Sequence, residues 1–326
     1  MKRDQAKISV VLSFYNEELV FPELLERMRA VFAPLVEKGW VSSYELVFVN
    51  DNSSDGSEEY LKAELKNGDV VVVNMSRNFG VSECVMAGLA QADGDAVIYM
   101  DCDLQDPPEV IPQLIEAWRN DSDAEVVYTT RTRRDGEHWL KMLVTKFGYR
   151  FINSISEIEL QIDSGDFKLL SRRAVHNLLQ LKEDKPYMRG LVSWIGFKQV
   201  QVFYERLERF DGPENTKMNV LSRKVIYYWL DRALISFSDA PLKLMLFFGF
   251  GLSMVSFLYV LVVLVQKLLG LSVPGWAAIM SAILFLGGVQ IMMLGFIGLY
   301  IGATFKEVKQ RPRYIVKNVL GKEGEI

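Results

Sequence analysis

Two acidic residues separated by one position follow an apolar run about one third of the way along the chain. Asp101 and Asp103 come directly after residues 96–100 (AVIYM), whose short apolar and β-branched character predicts a buried strand. Neighbouring carboxylates can share one Mg²⁺ or Mn²⁺ ion, because these ions prefer oxygen ligands and bind diphosphates well. Most such acidic pairs are surface turns, so the position of this pair at the end of a strand is what favours a cation site.

The first hundred residues alternate short apolar runs with amphipathic ones. This spacing predicts strands joined by helices in a doubly wound, mostly parallel α/β sheet; the strands are residues 7–14, 44–49, 70–74 and 96–100. Ligands of such sheets bind beyond the carboxyl ends of the strands. We therefore expect a ligand site formed by three loops rich in carboxylates and amides, which are residues 13–17, 50–57 and 101–107.

Asp51 lies in the second of these loops. A carboxylate there can accept hydrogen bonds from a base or a ribose, or it can form an Asx turn before the next helix. We favour ligand contact for Asp51, and helix capping for Asp55, with Ser57 two positions later.

The C-terminal third has a different chemistry. Residues 244–265 and 276–301 are almost free of charge, and each run is long enough to cross a membrane. Two buried helices of a soluble protein are the alternative, which the length of the runs disfavours. Basic residues flank the pair, so we expect a hairpin whose two ends face the cytoplasm. Gln290 and the Gly298/Gly302 pair favour close helix contact, either within the hairpin or in a homo-oligomer.

Composition shifts divide the chain into four parts. We expect a cytoplasmic α/β domain over residues 1–215, amphipathic juxtamembrane helices over 216–241, a transmembrane hairpin over 242–303 and a basic cytoplasmic tail over 304–326. The second part can lie on the bilayer surface or pack on the α/β domain.

Charge and cysteine content exclude some classes of protein. The formal net charge is -4, whereas nucleic-acid binders usually carry a basic surface, so we expect no nucleic-acid partner. Cys84 and Cys102 form neither a disulfide framework nor a metal motif. The polar N-terminus does not have the pattern of a signal peptide. We therefore expect a multi-pass protein of the cytoplasmic membrane with its α/β domain and both termini in the cytoplasm.

Several motifs, taken in order, resemble family-2 glycosyltransferases of the GT-A fold. The similar branch is that of the polyprenyl-phosphate glycosyltransferases, which includes the dolichyl-phosphate mannose synthases and bactoprenol glucosyltransferases. The matching segments span nearly the whole chain and are VVLSFYNEE (10–18), FVNDNSSDGS (48–57), SRNFGVSECVMAGL (76–89), YMDCDLQDPPEVIP (99–112), DSGDFKLLSRRAV (163–175), YMRGLVSWIGF (187–197) and FKEVKQRPRYIV (305–316).

The resemblance implies roles for the residues at the strand ends. The donor nucleotide would be held by the segment around Ser13, Tyr15 and Glu17 together with Asp51 and Arg77. Asp101 would face the ribose and the diphosphate, and would complete with Asp103 and Gln105 the site of Mg²⁺ or Mn²⁺. Basic residues would neutralise the donor diphosphate and the acceptor phosphate, and the candidates are Arg131, Arg189 and Lys217.

The resemblance also implies a carboxylate near the reacting carbon, and Asp166 occupies that position. Asp166 would orient the acceptor or act as a base, so that Asp166, Asp103 and Arg131 would be the catalytic residues. The alternative is that Asp166 is a buried ion-pair partner of Lys168 or Arg172.

Departures from the family pattern affect two positions. Only Asp51 is acidic at the pair Asn50–Asp51, where the family often has two acids, and the closing loop 209–217 that carries Lys217 is lengthened. The Q-x-x-R-W signature of processive synthases has no match, which favours a single transfer.

The implied activity is the inverting transfer of a sugar from a nucleotide-sugar to a polyprenyl phosphate such as undecaprenyl phosphate. UDP-glucose is the expected donor, with mannose, N-acetylhexosamine or an aminoarabinose derivative as alternatives. A nucleotidyltransferase is disfavoured because residues 10–18 contain no glycine-rich phosphate loop. The acidic pair and the arginines argue against a non-catalytic nucleotide-sugar binding protein.

Overall fold

The computed structural model describes residues 3–132, 164–183, 186–207, 240–270 and 275–322. Within these ranges eight strands form one sheet: β1 (Ala6–Phe14), β2 (Val41–Asn50), β3 (Val70–Met75), β4 (Ala96–Asp101), β5 (Val126–Arg131), β6 (Ser164–Ser171), β7 (Gln199–Tyr204) and β8 (Val316–Leu320). The helices described are α1 (Phe21–Glu37), α2 (Ser57–Glu64), α3 (Val81–Gln91), α4 (Ile111–Asn120), α5 (Arg172–Gln180), α6 (Met188–Trp194), α7 (Ala240–Leu268) and α8 (Trp276–Val308).

The strand order is β7-β5-β6-β4-β1-β2-β3-β8. The four strands β4, β1, β2 and β3 are parallel, β6 runs antiparallel to both of its neighbours, and β8 runs antiparallel to β3. The chain moves outward from β1 to β3 and then returns to β4 on the other side of β1, so the order reverses between β1 and β4. This arrangement confirms the predicted mostly parallel α/β sheet and places the reversal beside Asp101.

Central strands are apolar on both faces because helices cover both sides of the sheet. Residues of β1 are buried along nearly its whole length. On one face α1 packs with a stripe that includes Phe21, Leu24, Met28 and Leu35 at helical spacing. On the other face lie α3, α5 and α6.

Helix α3 approaches the sheet very closely at Gly88. A Cβ atom at this position would lie 2.3 Å from a methyl carbon of Val11 and 2.9 Å from one of Val49. The absence of a side chain therefore sets the distance between α3 and the strands that end at the predicted ligand site.

The C-terminal segment adds an edge strand to the sheet. This strand lies within residues 304–326, which the sequence predicted to be a basic tail. Strand β8 pairs with β3, with Asn318 opposite Asn74. Asn74 Nδ2 donates to Asn318 Oδ1 at 2.9 Å, and the amide of Ser76 donates to the carbonyl of Ile315 at 2.9 Å. The chain thus returns to the α/β domain after the long apolar helices.

Helices α7 and α8 are apolar around their circumference. In the described part of the chain one segment, Phe285–Val308 in α8, is long and apolar enough to cross a membrane, and none of it is buried within the protein. This exposure is the opposite of what a soluble core helix requires. A second apolar segment, Phe247–Val263 in α7, is shorter. The two-span hairpin stays a prediction, and the predicted juxtamembrane helices fall almost entirely outside the described residues.

We expect Gly88→Ala to lower the melting temperature of the purified protein, because an added methyl group must push α3 away from β1 and β2. Overpacking of this kind costs about 1–3 kcal/mol of unfolding free energy. Differential scanning fluorimetry in detergent measures the change. The matched control is Ala90→Ser, an exposed position of the same helix; equal melting temperatures for both variants would contradict the close approach.

Candidate active site

The predicted loops meet at the carboxyl edge of the sheet. Ser13 lies opposite Asp101 in the pairing of β1 with β4, and Asn50 lies opposite Phe14 in the pairing of β1 with β2. The hydroxyl of Ser13 is buried and has no hydrogen-bond partner among the described residues. Open sheets bind ligands where the strand order reverses, so this hydroxyl is well placed to meet a ligand.

The loop after β1 is fastened to the loop after β2. The amide of Asn16 donates to Ser53 Oγ at 3.0 Å, and the amide of Glu17 donates to Ser57 Oγ at 3.1 Å. Asn16 has a left-handed backbone, with φ 58°, which turns the chain back over the sheet edge. Tyr15 is half exposed at this turn. The predicted nucleotide-side residues Ser13, Tyr15 and Glu17 therefore lie on one rigid edge.

Asp51 is buried and accepts hydrogen bonds from the backbone of a third segment, which follows β3. Its two carboxylate oxygens accept hydrogen bonds from the amides of Phe79, at 2.7 Å, and Gly80, at 3.0 Å. The guanidinium of Arg77 stacks on the ring of Phe79, 3.9 Å from its centre. Asp51 and Arg77 thus belong to one unit of the structure, and the sequence did not suggest this anchoring role of Asp51. Direct contact of Asp51 with a base stays a prediction.

Asp55 lies just before α2, but Gly56 takes the N-cap position and no side chain among the described residues caps this helix. One carboxylate oxygen of Asp55 accepts a hydrogen bond from the amide of Ser57 at 3.1 Å, and the other accepts one from the amide of Glu18 at 3.3 Å.

Carboxylates crowd the end of β4. The pKa of Asp101 is raised to about 7, first because burial disfavours its charged form and then because Asp166 and Asp103 repel it. Asp103 accepts a hydrogen bond from the amide of Gln105 at 3.1 Å, and Leu104 between them has φ 57°. The loop turns sharply here and keeps Asp101, Asp103 and Gln105 together.

This crowding fits a divalent cation. No cluster of three or more histidine, cysteine or acidic side chains is arranged for a metal ion within the described residues. The candidate ligands are therefore two carboxylates and one amide oxygen, and a bound diphosphate would have to supply further oxygens. A cation there would compensate the repulsion that raises the pKa of Asp101.

Asp106 has a structural role that the sequence did not indicate. It is almost fully buried, accepts a hydrogen bond from the hydroxyl of Tyr204 and lies 3.6 Å from Arg206 Nε. Arg131 Nε also donates to the hydroxyl of Tyr204, at 3.3 Å. Burial and the charge of Asp106 raise the pKa of Tyr204 to about 12. Tyr204 thus links β7 to the acidic loop and to Arg131.

Asp166 forms a bidentate ion pair with Arg189 of α6. Arg189 Nε donates to Oδ1 at 2.9 Å and Nη2 donates to Oδ2 at 2.6 Å. Burial acts to raise the pKa of Asp166, but the hydrogen bonds and charge of Arg189 outweigh it and the pKa is lowered. Arg172 and Lys168, the alternative partners of Asp166, do not form this ion pair. Arg172 donates to the carbonyl of Gly94, and Lys168 acts on Asp166 through its charge.

Negative and positive groups adjoin each other at this edge of the sheet. Asp166, which is paired with Arg189, is the first of the charges that act on Asp101, and Arg131 is connected to Asp106 through the hydroxyl of Tyr204. Carboxylates can hold a divalent cation, and guanidinium groups can hold an anion such as phosphate. Lys217, a predicted diphosphate contact, lies outside the described residues.

Comparison with known proteins identifies the family of the chain. The family model described as glycosyl transferase family 2 matches residues 9–179. An uncharacterized glycosyltransferase of Synechocystis is 40% identical over 97% of this chain and 96% of its own length. A protein of Escherichia coli named prophage bactoprenol glucosyl transferase homolog is 37% identical over 96% of this chain and 99% of its own length.

Among solved structures, the chain is similar to glucosyl-3-phosphoglycerate synthase from Mycobacterium tuberculosis in complex with Mn²⁺, uridine-diphosphate and phosphoglyceric acid. The sequence identity is 23%, the TM-score is 0.48, and the match covers 70% of this chain and 78% of the other. The family model and the near full-length relatives lead to one conclusion: the chain belongs to glycosyl transferase family 2 and is a glycosyltransferase.

Proposed function

We propose that the protein transfers glucose from UDP-glucose to a polyprenyl phosphate such as undecaprenyl phosphate, with inversion at the anomeric carbon. The observation that carries the proposal is the placement of three groups at one sheet edge: the turn of Asp101 and Asp103, the buried hydroxyl of Ser13 and the Asp166–Arg189 ion pair. The donor diphosphate with its metal ion would lie at Asp101 and Asp103, and the acceptor phosphate would lie near Arg189 and Arg131. Relatives named bactoprenol glucosyl transferase support both the lipid acceptor and glucose as the sugar.

The reaction forms a bond between an acceptor phosphate oxygen and the anomeric carbon, and it breaks the bond from that carbon to the donor diphosphate. The acceptor is already an anion at neutral pH, so the step needs no strong base. This agrees with the lowered pKa of Asp166 and its bidentate contact with Arg189. Asp166 acts by orienting Arg189, and Arg189 and Arg131 hold the acceptor phosphate.

Asp101, Asp103 and Gln105 would hold Mg²⁺ or Mn²⁺, which when bound offsets the negative charge of the departing diphosphate. The buried hydroxyl of Ser13 and the fastened loop 13–17 line the donor side. The fixed geometry of the sheet edge keeps donor and acceptor in line, so that attack from the face opposite the diphosphate inverts the anomeric carbon.

A two-span membrane anchor follows if α8 crosses the bilayer. Strands β7 and β8 belong to the same sheet, so the chain between them crosses a membrane an even number of times. Residues 309–315 connect α8 to β8 and reach at most about 30 Å. Near this end of α8, Glu183 is partly buried and lies near Glu307, and both factors raise its pKa to about 7. These features support a second crossing by α7, a catalytic domain next to the bilayer and both chain ends on one side of it, and the basic residues that flank the apolar helices favour the cytoplasmic side.

The metal site makes a prediction for catalysis. Asp103→Ala should reduce transfer of radiolabelled glucose to undecaprenyl phosphate by at least about 100-fold, which is typical for the loss of a group that stabilises developing charge. The matched control is Asp123→Ala, an exposed carboxylate between α4 and β5, which should keep wild-type turnover. Undiminished transfer by a folded Asp103→Ala protein would refute the role of Asp103.

The same site predicts a metal-dependent stability. A ligand that binds only the folded state stabilises it by about 2.7 kcal/mol at 100 times its Kd, so MnCl₂ with UDP should raise the melting temperature of the wild type. The Asp101→Asn/Asp103→Asn double variant should lose this increase, because the two acidic ligands become neutral. Thermal scans with and without EDTA provide the measurement, and an unchanged increase in the double variant would exclude these ligands.

The membrane anchor can be tested by cysteine labelling, since both native cysteines are buried. Ser272→Cys lies between the two apolar helices and Lys317→Cys lies on β8. An impermeant maleimide added to spheroplasts should label Ser272→Cys, whereas Lys317→Cys should react only after permeabilisation. Labelling of both positions from the same side would contradict the hairpin.

A further inference from the structure

Three asparagines form one row across neighbouring strands at an edge of the sheet. Asn50 lies opposite Asn74 in the pairing of β2 with β3, and Asn74 lies opposite Asn318 in the pairing of β3 with β8. Asn50 and Asn74 are buried, and Asn318 is partly buried. Asparagine is uncommon in strands, and burying its amide is unfavourable unless the amide forms hydrogen bonds. We call these three residues the asparagine row.

The side-chain amides of the asparagine row are bonded to one another in a fixed direction. Asn50 Nδ2 donates to Asn74 Oδ1 at 2.9 Å, and Asn74 Nδ2 donates to Asn318 Oδ1 at 2.9 Å. The backbone amide of Ser53 donates to Asn50 Oδ1 at 2.8 Å. Because a backbone N–H can only donate, this bond fixes the orientation of Asn50 and, through it, the direction of the whole row. Asn318 therefore acts as an acceptor.

Asn74 holds both ends of the loop 50–57. The nitrogen of its amide carries two hydrogens, and it also donates to Glu58 Oε1, at 3.2 Å, in the first turn of α2. Asn50 begins this loop, and Glu58 directly follows it. One side chain thus fixes the span of the loop, and Asn318 fixes that side chain from the other side.

The loop 50–57 in turn holds the loop after β1. The amide of Ser54 donates to Asn16 Oδ1 at 2.8 Å, and the amide of Asn16 donates to Ser53 Oγ at 3.0 Å. These reciprocal bonds fix the position of residues 13–17, which line the donor side of the site. A continuous path of hydrogen bonds therefore leads from β8 to the donor side.

We propose that Asn318 is a positioning residue for the nucleotide-sugar donor. It acts through Asn74 on the loop 50–57, and through that loop on residues 13–17, rather than by contact with the donor. Strand β8 follows the apolar helix α8, so the segment beyond this helix supports the donor side. The proposal rests on the proposed function, because it takes a nucleotide-sugar as the ligand of this edge.

Asn318→Leu tests the proposal, because it removes the acceptor oxygen and keeps a side chain of similar size. We expect the KM for UDP-glucose to rise about fivefold, which corresponds to the loss of one hydrogen bond of about 1 kcal/mol. The kcat and the KM for undecaprenyl phosphate should change by less than about twofold, because the loop holds the donor equally before and during transfer. Asn318→Asp keeps an acceptor oxygen and should restore the wild-type KM. Lys317→Leu, at the exposed neighbouring position of β8, is the matched control.

Hydrogen–deuterium exchange gives a second measurement, which needs no substrate. The amides of residues 13–17 and 50–57 should exchange faster in Asn318→Leu than in the wild type or in Asn318→Asp. The amides of α4, which packs on β5, β6 and β7, should exchange at the wild-type rate. A general loss of stability would speed exchange in α4 as well.

The outcomes separate this proposal from the proposed function. If the wild type neither binds nor uses UDP-glucose, the proposed function itself fails. If the wild type is active and folded Asn318→Leu keeps the wild-type KM for UDP-glucose, or exchanges both loops at the wild-type rate, the role of Asn318 is overturned and the proposed function stands. Asn318→Ala replaces the leucine variant if the latter unfolds. If the alanine variant unfolds too, Asn318 is structural and the proposal is overturned.

Discussion

Burial of one carboxylate among others at the end of β4 is the constraint on which the site depends. Asp101 ends a buried strand, so burial raises its pKa, and the charges of Asp166, Asp103 and Asp106 add to this effect. Asp166 is compensated by its ion pair with Arg189, and Asp106 accepts a hydrogen bond from Tyr204 and lies near Arg206. Under the proposed function, a divalent cation with the donor diphosphate would compensate the remaining negative charge around Asp101.

The ion pair of Asp166 and Arg189 adjoins this carboxylate, because Asp166 is the first of the charges that raise the pKa of Asp101. These groups come from different elements, since Asp101 ends β4, Arg131 ends β5, Asp166 lies in β6 and Arg189 lies in α6. Antiparallel insertion of β6 between β4 and β5 brings them side by side. Strand β8 adds a mechanical constraint, because it connects the end of α8 to the same sheet. A lipid phosphate at the bilayer surface would then meet a site held at a limited distance from the membrane.

Local patterns were sufficient to predict the parallel core and the acidic loop after β4, whereas Gly56 and not Asp55 takes the N-cap position of α2. They were not sufficient for features that depend on residues far apart in sequence. The Asp166–Arg189 pair, the contact between Asp106 and Tyr204, and the hydrogen bonds from Asp51 to the backbone of Phe79 and Gly80 arise from tertiary packing. Strand β8 was missed because a five-residue segment after a membrane helix carries little periodic signal. Its pairing energy comes from the exposed edge of β3.

Binding of the donor to the purified protein tests the central claim most directly. Isothermal titration of UDP-glucose should give a measurable heat of binding in the presence of Mn²⁺ and little or none after EDTA treatment, because the uncompensated carboxylates then repel the diphosphate. Equal affinity with and without the cation would contradict the account. Absence of binding under both conditions, by a protein that remains folded, would contradict it as well.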